Sequence, residues 1–433
     1  MLRISIRGSL ALLMALTAGL VISGLEIRAG LRLRISDVFL LLSMPLIIAL
    51  FIRGTSTNRL IWICLAYAFY ASYTALNAYY LTSKGTAIKE GMQFLVFFMA
   101  FLGFVYGTEQ DAHFRKFVRI WFVLLCGVAL YSAGYHIIVL NTWSGWKELG
   151  DQKLAYGLLM VLVLGLRHDR FLSGKTFAVV ALLVLAMLFL SGERKGWIAA
   201  LAGCMTILFM APHGRMSRTS LNSLLYFLLF CLVLLVVLSV VAPFFPYLDR
   251  QLSSINGFVE GIFGVQTEQV SSSNEDRLFI LSFGLQLFQQ HPFFGAGLDT
   301  FVRHMAQLPG ALTINGAHNE PLRIAAELGL VGLGLYLGLY LLAGLRIMQI
   351  RALGRDIGEI QFVKFRLAAG LLVYGFVVNV FLAGGGVSFF LVVLPLGLLY
   401  SVPLRATARA GTPVPMRHGW QSRPAPGAGR RLA

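Results

Sequence analysis

Apolar runs long enough to cross a lipid bilayer recur along almost the whole chain. They constrain its fold more than any other feature, because inside hydrocarbon such a run can satisfy its own backbone polar groups only as an α-helix. Runs at 8–24, 36–52, 60–81, 88–106, 117–140, 152–166, 176–191, 196–212, 221–243, 324–345, 366–382 and 387–402 predict about twelve transmembrane helices, the sixth and twelfth of them short. Hydrophobic residues make up 58% of the 433 residues, and mean hydropathy is +0.76, both beyond what a soluble domain carries. The expected fold is all-α, a polytopic membrane helical bundle. No Walker loop, dinucleotide fingerprint or fixed-period repeat is present.

The formal net charge is +17. In a soluble chain that would suggest nucleic acid. Here cytoplasmic basic loops and attraction to anionic membrane lipids account for it, and no nucleic-acid partner is expected. With both termini cytoplasmic, Arg53/Arg59, Arg115/Lys116/Arg119, Arg167/Arg170/Lys175, Arg215/Arg218, the connection from Arg346 to Arg366 and the tail arginines fall on the cytoplasmic side. The division expected is spans one to nine over 1–243, a helical outside segment over 244–323, spans ten to twelve over 324–402, and a basic disordered tail over 403–433. The first apolar run follows Arg3 and Arg7 without a small-residue cleavage site, and reads as a retained span. The four cysteines, Cys64, Cys126, Cys204 and Cys231, lie in apolar runs and suggest neither a disulfide framework nor a zinc site.

Three groups of polar residues stand out against this background. Arg28, Arg32 and Arg34 fall in the first outside connection, against the charge rule, as interfacial snorkelling residues or as functional ones. Glu193, Arg194 and Lys195 form a tight outside turn between spans seven and eight, too short to carry charge far into water. The run from Gly316 to Gly332 holds His318, Asn319, Glu320, Arg323 and Glu327 just before an apolar, Gly-rich segment. Pro321 suits an early helical position, and Asn319 or Glu320 can cap it. His318 then precedes a helix start, where the dipole disfavours imidazolium and leaves a neutral base.

In the outside segment, Ser272 and Glu275 are spaced as a capping box, and Leu278, Leu281, Leu285 and Phe288 recur at helical spacing. The spacing predicts an amphipathic helix on the membrane or the bundle, ended by the turn His291 to Gly297. Arg277 falls in its first turn, at the unfavourable dipole end, and calls for an anion: Asp276, Glu275 or a substrate phosphate.

The pattern His318-Asn319-x-x-Leu322, Glu327-x-Gly329-x-x-Gly332 resembles the signature of the O-antigen ligase and polymerase superfamily. The blocks Asn274 to Arg277, His291 to Phe301 and Ser191 to Gly196 are similar to that family's periplasmic helix, turn and Arg-bearing turn, although Glu193 and Lys195 depart from the commonest form. The match covers roughly residues 175–345. It implies a GT-C-like glycosyltransferase of the bacterial inner membrane, with its site facing the periplasm. It also implies an undecaprenyl-pyrophosphate-linked glycan donor. In ligases the acceptor is a sugar hydroxyl of lipid A–core, and in polymerases a second lipid-linked repeat.

The residues suit that chemistry. A hydroxyl attacking an anomeric carbon needs a base, and His318 is the candidate. A pyrophosphate leaving group needs donors and positive charge, supplied in this reading by Arg277 and Arg194. Arg323, Asn319, Glu327, Lys195, Arg28 and Arg32 are candidate substrate-binding residues, with Glu320 and Glu327 also able to engage Arg323 structurally. Outside carboxylates are too few to suggest magnesium or manganese, so no metal or other cofactor is expected. Direct displacement with inversion follows. Ligase stands ahead of polymerase. A transporter or flippase is the alternative of another class, and the absence of paired broken helices from the sequence weighs against it.

Overall fold

The computed structural model describes residues 5–23, 26–28, 32–53, 57–140, 154–166, 174–191, 194–210, 272–307, 319–353, 357–381 and 386–404. The predicted ninth span and the basic tail lie outside them. The helices are α1 Ile6–Leu20, α2 Ile35–Ile52, α3 Thr57–Leu81, α4 Lys84–Thr108 and α5 Asp111–Gly134, the last running into a π-turn over Tyr135–Val139. They continue as α6 Leu154–Leu166, α7 Gly174–Leu190, α8 Arg194–Phe209, α9 Ser272–Gln290, α10 Phe301–Met305, α11 Glu320–Leu353, α12 Glu359–Phe381 and α13 Gly386–Ser401.

Among the described residues, six helices are long and apolar enough to cross a membrane: α2, α3, α4, α5 with its π-turn, α11 and α12. Five shorter apolar helices lie at the predicted positions of spans one, six, seven, eight and twelve. The shortest, α6, is buried at every residue, against α5, α7, α8 and α12. A helix apolar all round belongs in the interior. Tyr374 of α12 reaches the start of α6, its hydroxyl donating to the Leu154 carbonyl at 3.0 Å. The helices α8 and α12 touch backbone to backbone, since a Cβ on Gly203 would come within 2.9 Å of the Gly370 carbonyl. Small residues permit this approach where no hydrophobic effect drives helices together.

The fold is all-α as expected, with one short hairpin added to the bundle, in which Glu26–Arg28 (β1) and Arg32–Arg34 (β2) pair antiparallel with Arg28 opposite Arg32. One expectation is corrected: Arg346, Lys364 and Arg366 are not loop residues. They lie within α11 and α12, are buried, and each caps the end of another helix. Lys364 Nζ donates to the Thr108 carbonyl at 2.5 Å, at the end of α4. Arg366 Nε and Nη2 donate to the Ile207 carbonyl of α8 at 2.9 and 2.6 Å, and Arg346 Nη2 donates to the Val402 carbonyl just after α13. Helix ends leave carbonyls without intrahelical partners, at the negative end of the dipole. A cation there satisfies an acceptor that hydrocarbon could not.

These caps define one end of the bundle. At the other end, α3 finishes, α4 begins and α11 starts, and there the polar stretch around Arg323 is found.

Candidate active site

The start of α11 is capped locally. The Asn319 Oδ1 accepts from the Leu322 N–H at 2.9 Å, with Pro321 as the second helical residue. This is an N-cap of the kind the sequence allows. The helix then breaks, since Gly329 has φ 66° and ψ −166°, outside helical space and in the region that favours glycine. The segment from Glu320 to Leu328 and the one from Leu330 onward are thus two helices sharing one hinge.

A break of this kind strands backbone groups on both sides, and the turn after α9 satisfies them. The Ala296 and Gly297 N–H groups donate to the carbonyls of Ala326 and Glu327 at 2.9 and 3.0 Å. The Leu330 and Val331 N–H groups donate to the carbonyls of Pro292 and Phe293 at 2.8 and 3.3 Å. The Tyr73 hydroxyl of α3 donates to the Leu328 carbonyl at 2.7 Å. Asn77, one turn on, donates from Nδ2 to the Phe294 carbonyl at 2.7 Å and accepts at Oδ1 from the Leu298 N–H at 3.0 Å. Thr82 donates to the Leu298 carbonyl at 2.8 Å. The turn is therefore clamped between α3 and the broken helix. Replacing Asn77 by alanine strands one donor and one acceptor, at about 1–3 kcal/mol each. The expected result is a lower thermal midpoint in detergent, while Ala at exposed Gln286 of α9 leaves it within a degree or so of the parent.

Next to the hinge, one guanidinium holds two carboxylates. Arg323 donates from Nε and Nη2 to Glu320 at 3.1 and 2.6 Å, and from Nη1 to Glu327 Oε2 at 2.9 Å. The other Glu327 oxygen accepts from the Phe301 N–H at 3.0 Å, tying the start of α10 to the same cluster. Glu320 and Glu327 are buried, while the Arg323 side chain is about a quarter exposed. Fork geometry and burial make this more than a surface pair. Glu90 of α4 lies close enough to interact with Arg323, and Lys89 reaches Asp299 at 3.8 Å. Asp299 itself adopts a left-handed φ of 62°. Below the cluster, Tyr70, Tyr336 and Tyr340 lie within electrostatic reach of Glu320, with the Tyr336 and Tyr340 hydroxyls 3.2 Å apart.

The helix α9 packs directly on the first half of α11. Ile280 and Leu287 are buried with Phe301, Met305 and Ala326, and Gly284 gives room for Leu322. Of the predicted stripe, Leu281 and Leu285 point away from the bundle, 41% and 46% exposed, which leaves the membrane as the one of its two expected placements open to them. Both sides of this helix carry apolar residues, so spacing alone could not choose between them. The start of the helix is corrected. With α9 beginning at Ser272, Ser272 is helical and not the cap, and Arg277 sits in the second turn.

The predicted site residues are placed as follows. Asn319, Arg323 and Glu327 come together on α11. Arg277 is in α9, whose residues from Ile280 onward pack on that segment. Arg194 and Lys195 are the first two residues of α8, helical and not part of a loop turn. Because α8 runs antiparallel to α12, with Ile207 at Arg366 and Gly203 at Gly370, they lie at the end of α12 away from the cation caps. Arg28 and Arg32 pair with one another across the hairpin. His318, one residue before the Asn319 cap, lies outside the described residues, as do the side chains of Arg28, Arg32, Arg194, Lys195 and Arg277. Sequence reasoning did not select Tyr73, Asn77, Tyr336 or Tyr340. Their signal was polar pairs at i, i+4 inside apolar helices.

Residues 178–337, from α7 through α9 and across the hinge of α11, match the family model described as O-Antigen ligase. No curated protein matches the chain. The chain thus carries a domain of the O-antigen ligase family over residues 178–337.

Proposed function

We propose that the protein is an O-antigen ligase, a multi-pass enzyme of the bacterial inner membrane. It moves a glycan from undecaprenyl pyrophosphate to a sugar hydroxyl of lipid A–core on the periplasmic side. The observation that carries this reading is the family match, which spans Arg194, Arg277, His318, Asn319, Arg323 and Glu327 in one stretch. Its coarse content is a ligase- or polymerase-type, glycosyltransferase-like membrane enzyme. The donor, acceptor and mechanism are our reading of the residues.

In this reading His318 removes the proton from the acceptor hydroxyl as that oxygen bonds to the anomeric carbon. The bond from that carbon to the pyrophosphate oxygen breaks with its electron pair, and the anion departs into charge-assisted hydrogen bonds from Arg277 and Arg194. Attack opposite the leaving group inverts the anomeric centre, and no metal takes part. Arg323, bound to two carboxylates, acts as a positioning residue. With the Asn319 cap and the hinge, it fixes the helix start that immediately follows the base. Lys195, Arg28 and Arg32 add positive charge at the entry for the anionic donor.

Acceptor choice separates ligase from polymerase. Purified protein in detergent, given labelled donor with lipid A–core, is expected to label the core. With donor alone, it is expected to leave the lipid-linked glycan at its starting length. Elongation of the lipid-linked glycan without core would replace the ligase reading with a polymerase.

A further inference from the structure

The helix α9 presents three distinct sides. Ile280, Gly284 and Leu287 pack on α11 or its partners. Leu281, Leu285 and half-buried Phe288 follow at helical spacing on one flank of that contact, while exposed Ser282, Gln286 and Gln289 face away from it. A helix with a protein side, an apolar flank and a polar side suits the boundary between bilayer and water. The turn that ends it adds Phe293 and Phe294, 65% and 63% exposed.

The backbone under these two rings needs no water. Three successive carbonyls, those of Pro292, Phe293 and Phe294, accept from the Leu330 N–H, the Val331 N–H and Asn77 Nδ2. Irregular backbone tolerates an apolar surrounding only when protein satisfies its polar groups in this way.

The same hydrogen bonds fix the depth of the turn. Leu330 heads an exposed stripe on α11 that continues as Leu337, Leu341, Leu345 and Met348, on a helix apolar and long enough to span. Met348 is about 27 Å along the helix from Leu330 and is followed by exposed Gln349 and Arg351. That length is close to the ~30 Å of the hydrocarbon core, so the turn lies at the edge of it. Asn77 gives the same level, about 6 Å short of the end of α3. The aromatic pair therefore extends a lipid-facing stripe at its outer end.

We infer that the turn and the apolar flank of α9 dock on the lipid leaflet at this end of the bundle. Leu281, Leu285, Phe293 and Phe294 lie among phospholipid acyl chains, and Gln286 and Gln289 lie in water. The docking involves no glycan and stands independently of the proposed reaction.

The test uses the full chain in phosphatidylcholine nanodiscs free of polyprenyl lipid. With its four cysteines replaced by alanine, it carries single spin labels at L285C, F294C, Q286C or Q289C. Oxygen, which concentrates in hydrocarbon, is expected to relax the label more than a water-soluble nickel chelate at L285C and F294C. The ratio is expected to invert at Q286C and Q289C. The unaltered chain, with an acyl-chain diazirine on the phosphatidylcholine, is expected to take lipid adducts on Leu285, Phe293 or Phe294 and none on Gln286 or Gln289. That second measurement decides the matter should the cysteine-free chain fail to fold. Nickel access at F294C equal to that at Q286C would overturn the docking. So would shielding of F294C from both reagents, as a second copy seated on the patch would give. Adducts that form only once a polyprenyl-linked donor is added would also overturn it, by assigning the patch to the donor's tail.

Discussion

Replacing His318 by alanine is expected to lower glycan transfer by about 10²- to 10⁴-fold, the usual worth of a positioned base. Donor affinity is expected to stay close to the parent's, because in the proposed mechanism arginines hold the pyrophosphate and the imidazole does not. The asymmetry follows from the order of groups at the head of α11. The proposed base is one residue before a capped helix start, and Asn319, Arg323, Glu320 and Glu327 fix that start through hydrogen bonds within the first turns of the helix. Loss of the imidazole removes a proton acceptor and leaves this frame intact. Turnover and donor binding measured on the same preparation check the split, and near-parental turnover in the variant would remove His318 from the mechanism.

A comparably large effect, on folding this time, is expected from Gly295→Ala. Gly295 has φ +74°, and a Cβ there would overlap the backbone carbonyl of Glu327. Strain at such a φ costs about 1–3 kcal/mol. The overlap adds to it, because the obstacle is backbone already held by the Ala296–Ala326 and Gly297–Glu327 hydrogen bonds. The turn would lift off the hinge and expose the carbonyls and N–H groups on both sides of Gly329. A fall in folded yield and in thermal midpoint is expected. Gly334→Ala, in the same helix with no atom within 4 Å of the added carbon, should match or slightly exceed the parent, as a helical alanine does. Equal stability of the two variants would show that the turn does not support the break.

The helical bundle was legible because span length and hydropathy follow from what a bilayer permits. The cap at Asn319 and the early Pro321 were legible for a local reason, since both depend on residues a few positions apart. The break at Gly329 was not. Glycine is common in membrane helices, and what makes this one a hinge is a turn some thirty residues earlier that supplies its hydrogen bonds. That same distant partner explains why Tyr73 and Asn77 were passed over: in the sequence they are polar residues in a span, and only the fold brings the turn to them. The sequence pattern lacks a pair of broken helices in matching halves, which weighs against a transporter, and it gave no sign of a single break either. Among the described residues α11 carries one such break, and its stranded groups are taken up by the turn and by α3. Lys364 and Arg366 misled for the opposite reason. Charge near the end of an apolar run reads as a loop, yet long cationic side chains can stay inside and take the carbonyl ends of neighbouring helices.

In the proposed function this bundle transfers a glycan and does not carry one across the membrane. Sealed proteoliposomes containing the purified chain, labelled undecaprenyl-pyrophosphate glycan and lipid A–core test it directly. The expected result is label moving onto lipid A–core in proportion to the amount of protein. Label crossing the bilayer with none appearing on any sugar acceptor would contradict it.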